Sequence, residues 1–515
     1  MNNMNLNDNA LFMRFWFPQR RPGRAIPIIG GFAMLMVAAV VCWYLVYLER
    51  LVHIGETVRW ARWCFLTLYA LDSGMLLLIG SYMVGAAAYI ESSSGGLDFH
   101  RTSSTPSGVQ FIGLLLGPAA LTWICFFLSL PVMLICLALS DLSWVDSLSA
   151  LMALPLTALF YHTITVAVGL TVRKPASGAA SAQQATPMMV VFLACFGFSG
   201  MGLTPAALPG FLSNLPAAAV PFLEGNARIG RIGQGIPHAF FGLPFPVLVT
   251  QLLVQAPLAM VALWAALRVL RRPGRPAMSK RLAAMLTGWL LLLFVAGTVG
   301  ADATGERSWI EPMGAAIAGA LFLLVLGLAV LSTVTPRYIY FANGLRRRHE
   351  GFELESRLLG DSASNVAWCG MYALQGIVFY LALWFLFATP WLPLVAVLLV
   401  IGWMSQAVEY FRLRPEKRKS PVLGLLIGAL WVVIPGIGGV MAISQEQARV
   451  DIISGMLMSP CPLFDVIFLS IPPGQEGVAD TWLTIAIFAI GVNALLLLLF
   501  AGAARRARRR VAAAV

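Results

Sequence analysis

Charged side chains are scarce in this sequence. Asp, Glu, Lys and Arg make up 11% of its 515 residues, whereas soluble domains carry about 25%. Hydrophobic residues make up 59%, and the mean hydropathy is +0.81. Apolar runs of about 20 residues, the length that crosses a bilayer core, recur along the chain. Because lipid offers no partner to an open strand edge, the composition predicts an all-α, polytopic helical membrane protein.

The sequence also lacks the signatures of several enzyme classes. It contains no G-x-x-x-x-G-K-[ST], G-x-S-x-G, H-E-x-x-H or kinase motif. Its seven cysteines form no C-x-x-C pair, and its five histidines lack the spacing of metal ligands. We therefore expect no cofactor, no metal and no ATP hydrolysis on this chain. The N-terminal segment has no A-x-A-like cleavage site, so we also expect no cleavable signal peptide.

The net charge of +12 is explained better by membrane topology than by nucleic-acid binding. With the N terminus inside, all but seven of the 35 lysines and arginines fall in inner segments. This distribution favours an even number of spans with both termini in the cytoplasm. The twelve predicted spans are about 25–48, 64–90, 111–139, 147–172, 187–208, 244–267, 282–300, 312–334, 369–389, 392–409, 421–443 and 481–503.

A basic segment, 271–281, separates two hydrophobic halves of six spans each. We assign 1–24 to a cytoplasmic interfacial helix, because aromatic and basic residues alternate there. The membrane domains then cover 25–270 and 282–503, and 504–515 forms a basic cytoplasmic tail. The two halves have similar span patterns, which indicates a parallel duplication.

Polar residues within the spans are few. Asp72 and Glu409 are predicted near span ends, which disfavours an ion-coupled transporter because coupling sites usually place charges near mid-membrane. Gln251 and Gln255 lie four residues apart on one helix face, where they are candidates to line a substrate path. The alternative for these amides is hydrogen bonding between helices.

The loop between the second and third spans reads ESSSGGLDFHRTSSTPSGVQFIGLLLG from Glu91 to Gly117. Its glycines permit a tight turn, and Pro106 is expected to end one helix and orient the next. Asp98 and Arg101 are expected to stay in water, where they can meet a charged partner. A plain connector is the alternative.

This loop resembles that of type-2 ABC transporter permease subunits. That family has E-x-x-x-G-T-L-[DE] here, matched by Glu91, Gly95, Leu97 and Asp98, and then a T-P-x-S-P-like turn and a glycine. Thr102, Thr105, Pro106 and Gly113 match the later positions. The sequence departs from the pattern at three places, which are Gly96 for Thr, Ser103 for Pro and Leu114 for a basic residue. The segments NALFMRFW and VGLTVRKPASGAASA also resemble the family, so the likeness covers about 8–270.

The resemblance implies a permease, an exporter by family habit, in the cytoplasmic (inner) membrane, as a homodimer or an internal pseudo-dimer. A separate ATP-binding subunit would dock on the loop. The implied docking residues are Glu91, Gly95, Gly96, Leu97, Asp98, Arg101, Thr105 and Pro106. Two other classes stay open, a membrane-embedded enzyme or assembly scaffold and an ion-coupled secondary transporter.

Overall fold

Among the described residues, every secondary-structure element longer than two residues is a helix. A two-residue antiparallel strand pair, Ala239–Phe240 (β1) with Leu243–Pro244 (β2), accompanies the helices. The computed structural model describes residues 9–54, 60–94, 96–97, 105–140, 142–171, 239–240, 243–244, 247–271, 276–303, 312–336, 338–349, 363–413, 430, 433–434, 456–470 and 479–514. The expectation of an all-α membrane protein is confirmed at this level.

Two compact units divide the chain. The first comprises Met1–Pro273 with Gly300–Thr304, and the second comprises Gly274–Val299 with Gly305–Val515. The division at Pro273 lies within the basic segment 271–281.

The first unit contains eight α-helices among its described residues, and a π-helical stretch, Gly74–Gly80, called here the π segment, joins two of them. The helices are α1 (Ala10–Gln19), α2 (Pro22–Ile54), α3 (Trp60–Ser73), α4 (Ser81–Ser94), α5 (Ser107–Leu116), α6 (Ala120–Ala138), α7 (Trp144–Thr171) and α8 (Val247–Arg271).

The second unit is built from seven helices in its described part. They are α9 (Lys280–Ala303), α10 (Pro312–Val334), α11 (Tyr338–His349), α12 (Asn365–Phe387), α13 (Leu392–Arg412), α14 (Pro462–Ser470) and α15 (Ala479–Ala513).

Eight helices in the described residues are long and apolar enough to cross a membrane. They are Pro22–Glu49, Trp60–Ser94, Ala120–Ala138, Ser147–Thr171, Gln251–Arg271, Asn365–Phe387, Leu392–Arg412 and Trp482–Ala513. The predicted spans 187–208 and most of 421–443 fall outside the described residues. The count of twelve and the location of the termini therefore stay predictions.

One predicted span is wrong as a single helix. The stretch 111–139 divides into α5 and α6, because the helix stops at Leu116 and restarts at Ala120. Pro118 lies in the break and has no N–H to continue a helical ladder. The short α5 packs against α1, α4, α7 and α8. The transmembrane helix itself is α6.

The boundary between α12 and α13, predicted at TPWLP, is confirmed by backbone geometry. Ala388 adopts a left-handed conformation, with φ of 52°, and ends α12 after Phe387. Helix α13 restarts at Leu392, with Pro393 in its first turn, where the missing N–H costs no hydrogen bond.

The first unit has two apolar clusters. One fills the space between α2, α3, α6, α7 and the π segment, and includes Phe65, Leu68, Leu76 and Leu154. The other joins α1, α4, α5, α7 and α8. Helix α1 contributes Leu11 to that second cluster, which places the N-terminal helix against the part of the bundle where the loop begins and ends.

Candidate functional site

Helix α1 is fixed in place by polar contacts at both of its ends. Asn9 caps the helix, since its Oδ1 accepts hydrogen bonds from the backbone N–H groups of Leu11 and Phe12. Its Nδ2 donates to the Val109 carbonyl at 2.7 Å. At the other end, Gln19 Nε2 donates to the carbonyls of Gly117 and Pro118, at 3.1 and 2.7 Å. The N-terminal helix, which the sequence predicts to be interfacial, is thus tied to α5 and to the break after it.

Two glycines allow α1 to approach α5 closely. A Cβ atom added at Gly113 would lie 2.7 Å from Asn9 Oδ1 and 2.9 Å from the Leu11 Cβ atom. One added at Gly117 would lie 3.1 Å from the Phe12 carbonyl oxygen. Gly113, which the sequence marked only as a family glycine, is therefore needed for the packing of the N-terminal helix.

The first residue of the predicted docking loop, Glu91, is buried within the last turn of α4. Its side chain has 0% exposure, and Arg14 of α1 lies 3.2 and 3.3 Å from its two carboxylate oxygens. The Arg14 side chain is 53% exposed, so the pair joins a buried anion to a partly hydrated cation. Glu91 therefore anchors the start of the loop to α1 and presents no free surface to a partner.

Gly96 lies directly against this ion pair. A Cβ atom added there would collide with Glu91 Oε2, and the Gly96 N–H donates to Ser94 Oγ at 3.4 Å. The Glu91 side chain of the same unit therefore explains why position 96 requires glycine, without reference to a partner protein. Ser92 adds a further link, because its hydroxyl donates to the Leu170 carbonyl of α7 at 3.2 Å.

Three of the remaining predicted docking residues contact the first unit, and the other three lie outside the described residues. Leu97 is buried in the cluster around α1. Thr105 accepts a hydrogen bond from the Gln110 side chain at its carbonyl, at 3.0 Å, and Pro106 precedes the first turn of α5. Gly95, Asp98 and Arg101 lie outside the described residues. The two ends of the loop are therefore held by the first unit, and its centre carries the two charges predicted to face water.

The end of α8 is also bonded to the start of α5. Arg271 Nε donates to Ser107 Oγ at 2.9 Å. Arg268, one turn earlier, places its guanidinium 4.9 Å from the centre of the Trp264 ring. The helix before the basic linker and the helix after the loop thus meet at the loop's C-terminal end.

The proposed substrate-path residues, Gln251 and Gln255, lie together with Thr157 of α7. Gln251 Nε2 donates to Thr157 Oγ1 at 2.5 Å. The same hydroxyl lies 3.2 Å from Gln255 Oε1 and 2.8 Å from the Ala153 carbonyl. The side chains of Gln251 and Gln255 are buried. This geometry favours the alternative of hydrogen bonding between helices, and a role in a substrate path stays a prediction.

Replacing Thr157 by valine should destabilise the first unit by about 1–3 kcal/mol, the cost of leaving buried polar groups unpaired. Valine has nearly the shape of threonine but leaves both glutamines without the hydroxyl. Thermal unfolding of the purified protein in detergent would measure the loss.

The matched control is Thr163→Val in the same helix. The Thr163 hydroxyl bonds to the Leu159 carbonyl of its own helix, so this change should cost much less. Equal effects at the two positions would contradict a special role for the cluster of Thr157, Gln251 and Gln255.

A second buried carboxylate, Glu409 of α13, organises one end of the second unit. Its side chain is fully buried and accepts a hydrogen bond from the Asn365 backbone N–H at 3.0 Å. Arg508 of α15 lies 3.1 Å from Glu409 Oε1. The sequence analysis assigned Arg508 to the basic cytoplasmic tail, and only the fold shows that it neutralises Glu409.

Neighbouring cations continue this network through backbone carbonyls. Lys280 is fully buried and donates to the Ala363 carbonyl at 2.7 Å, while Arg412 donates to the Thr335 carbonyl at 2.7 Å. Asn365 Nδ2 donates to Thr335 Oγ1 at 2.8 Å. The network joins the beginning of α9, the ends of α10, α13 and α15, and the start of α12.

A third buried carboxyl belongs to Asp465 of α14, outside the eight long apolar helices. Asn493 of α15 donates to Asp465 Oδ2 at 2.9 Å and accepts from the Trp403 indole at 3.1 Å. Burial raises the pKa of the Asp465 carboxyl well above its usual range, and the hydrogen bond from Asn493 opposes that rise. Asn493, a polar residue within the predicted span 481–503, thus forms hydrogen bonds across helices.

In the described part of the chain, no group of three or more His, Cys, Asp and Glu side chains has the geometry of a metal site. Comparison of the chain with protein-family models, with curated proteins and with solved structures finds no match.

Proposed function

We propose that this chain is the membrane-spanning permease subunit of an ATP-driven ABC transporter, an exporter of the type-2 kind. A separate ATP-binding subunit supplies the energy. The chain resides in the cytoplasmic (inner) membrane with twelve spans and both termini in the cytoplasm, and it works as a homodimer or an internal pseudo-dimer.

The observation that carries this proposal is the anchored loop. Its N-terminal end is held by the Glu91–Arg14 pair, and its C-terminal end by α5, which packs on α1 and bonds to Arg271. A force on the loop between these anchors reaches α1, α4, α5 and α8 directly. A plain connector has no need of a buried ion pair at its start or of Gly113 beneath the N-terminal helix.

The mechanism is rigid-body movement of helices. Closure of the ATP-binding subunit displaces the loop, and because its ends are tied to packed helices, those helices move with it. The charges of Asp98 and Arg101 select the partner surface, since complementary charges govern partner choice more than the stability of either protein. The substrate path opens and closes as the helices rock.

Asp98→Arg tests the proposal. The variant should fold and insert like the unmodified chain, but it should bind the ATP-binding subunit at least about tenfold more weakly, equivalent to about 1.4 kcal/mol. The complex purified from native membranes and placed in lipid nanodiscs would be assayed for bound ATPase and for its turnover. The purified chain alone should hydrolyse no ATP.

Asp146→Arg is the matched control, because the same charge reversal then lies on the predicted outer side. It should leave both assays unchanged. Gly96→Trp is unsuitable for this test, since it would displace Glu91. The proposal fails if no ATPase accompanies the unmodified chain, or if Asp98→Arg recruits and stimulates one normally.

A further inference from the structure

The segment from Trp60 to Ser94 is one membrane helix interrupted by the π segment, Gly74–Gly80. A π turn is rare and frequently marks a functional position, because its wider ring releases backbone groups from regular pairing. Two buried ionisable side chains flank the π segment. Asp72 precedes it by two residues, and His162 of α7 contacts the Leu76 carbonyl within it.

Asp72 lies farther from the start of its helix than the sequence indicates. The predicted span begins at residue 64, but the helix begins at Trp60, twelve residues before Asp72. Twelve residues of helix correspond to roughly 18 Å. The Asp72 side chain has 0% exposure, so its carboxyl group lies within the packed bundle.

The contacts of Ser129 favour a protonated Asp72. Ser129 Oγ lies 2.5 Å from Asp72 Oδ2 and 2.8 Å from the Phe126 carbonyl oxygen. A serine hydroxyl carries one hydrogen and cannot donate fully to two acceptors. Both short contacts are satisfied when a neutral Asp72 donates its own proton to Ser129, which then donates to Phe126.

Comparison with Glu91 and Glu409 supports a neutral Asp72. Glu91 is neutralised by Arg14, and Glu409 by Arg508 and a backbone N–H. Asp72 has no described cation within salt-bridge distance, and its Oδ1 forms no hydrogen bond with the described residues. An ionised carboxylate without such compensation is strongly disfavoured inside a membrane protein, whereas a proton on Asp72 removes the charge.

Other ionisable groups on the packed helices leave this conclusion unchanged. Arg62 is ten residues earlier in the same helix, roughly 15 Å along its axis. The ionisable residues with described side chains on α2, α3, α6 and α7, the helices that pack around Asp72, are Arg24, Cys42, Tyr44, Tyr47, Glu49, Arg62, Cys64, Tyr69, Cys125, Cys136, Tyr161 and His162. Apart from Arg62 and the exposed Arg24 in the first turn of α2, none is a permanent cation.

His162 of α7 contacts the backbone of the π segment. Its Nε2 lies 3.1 Å from the Leu76 carbonyl oxygen, so Nε2 carries the hydrogen. Its Nδ1 is buried without a hydrogen-bond partner in the described residues. A Cβ atom added at Gly80 would lie 2.8 Å from His162 Nε2, so the glycine makes room for the ring. Trp123 packs edge-on against the ring, 5.9 Å away.

We propose that Asp72 is a proton-binding site in the core of the first unit, with Ser129 as its hydrogen-bond partner and the π segment next to it in the same helix. The site is loaded in the conformation described and exchanges its proton when the helices rearrange. This property goes beyond the proposed function, because it requires no ATP-binding subunit.

The first test is labelling of the full-length protein in membranes with dicyclohexylcarbodiimide. A neutral carboxyl gives its proton to a carbodiimide nitrogen while its oxygen bonds to the central carbon. The acyl group then migrates to the other nitrogen, which leaves a stable N-acylurea with no leaving group. Mass spectrometry of peptides should find the adduct on Asp72 and not on Glu91 or Glu409, which are ion-paired.

The second test is infrared spectroscopy of the purified protein in lipid. The carbonyl band of a neutral carboxyl should be present in the unmodified chain and lose intensity in Asp72→Asn, which keeps a neutral side chain of similar shape. Transfer to D₂O should shift that band, because a proton carrier exchanges with solvent.

Two results would overturn the proposal. One is an Asp72 that forms no adduct and contributes no neutral-carboxyl band, which would mean that it is ionised. The other is a band that does not shift in D₂O, which would mean that the proton is permanently trapped. Labelling of the unmodified chain decides whether Asp72 is neutral even if Asp72→Asn fails to fold, because the adduct is located on the peptide that contains Asp72.

Discussion

Gly169→Leu is expected to prevent α7 from packing on α4. A Cβ atom at Gly169 would lie 2.6 Å from the Gly85 carbonyl oxygen, 2.9 Å from the Ala88 Cβ atom and 3.1 Å from the Tyr89 backbone nitrogen. Two of these neighbours are backbone atoms, which cannot move aside without moving α4. Small residues let membrane helices approach to this distance.

The expected loss in the free energy of unfolding exceeds the roughly 1–3 kcal/mol that overpacking usually costs. A leucine adds four carbon atoms to a contact that has no room for one. Total stabilities of proteins are about 5–15 kcal/mol. Most of the variant should therefore be aggregated or degraded, which size-exclusion chromatography of a fluorescent fusion would show. Gly169→Ala should give an intermediate loss.

Gly30→Leu in α2 is the matched control, because no atom lies within 4 Å of a Cβ placed there. It introduces the same side chain into another apolar helix of the same unit and should leave the elution profile unchanged. A well-folded Gly169→Leu protein would show that α4 and α7 are not packed as described.

Arg508→Ala is expected to destabilise the second unit by about 3 kcal/mol. Removing one partner of a buried ion pair costs about 3–5 kcal/mol, because the other charge stays buried without compensation. We expect the lower end of that range, since the Arg508 side chain is 22% exposed and Glu409 keeps its bond from the Asn365 N–H.

A double substitution separates this effect from the loss of side-chain packing. Glu409→Gln with Arg508→Ala removes both charges, and it should recover part of the stability that Arg508→Ala loses. Arg509→Ala changes an exposed neighbour in the same helix and should have little effect. Thermal unfolding of the unmodified chain, the two single variants and the double variant measures the change in stability that each substitution causes. An Arg508→Ala protein as stable as Arg509→Ala would contradict the pairing.

Local sequence patterns predict much of the helical framework. The span predicted at 147–172 corresponds to α7, that at 244–267 to α8, and that at 481–503 to α15. These predictions succeed because hydropathy, proline and glycine act over a few neighbouring residues. The span at 111–139 fails for a related reason, since its hydropathy is continuous across Gly117 and Pro118 while its backbone is not.

At the candidate site, local sequence patterns identify the important residues but not the contacts that they make. The loop motif drew attention to Glu91 and Gly96, but it assigned them to a partner surface. The structure places Glu91 against Arg14, 77 residues earlier in the chain. Glycine at position 96 then follows from the position of the Glu91 carboxylate, which no local pattern reveals.

By itself the sequence determined that this protein is helical and membrane-embedded, because the balance of apolar and charged residues is a property of composition. It also singled out Gln251 and Gln255, since polar groups in apolar runs are rare. Only the tertiary structure decided which partner each polar group meets. Thr157 and Gln255 are 98 residues apart and Glu409 and Arg508 are 99 apart, and such pairs form only when helices distant in the chain pack side by side.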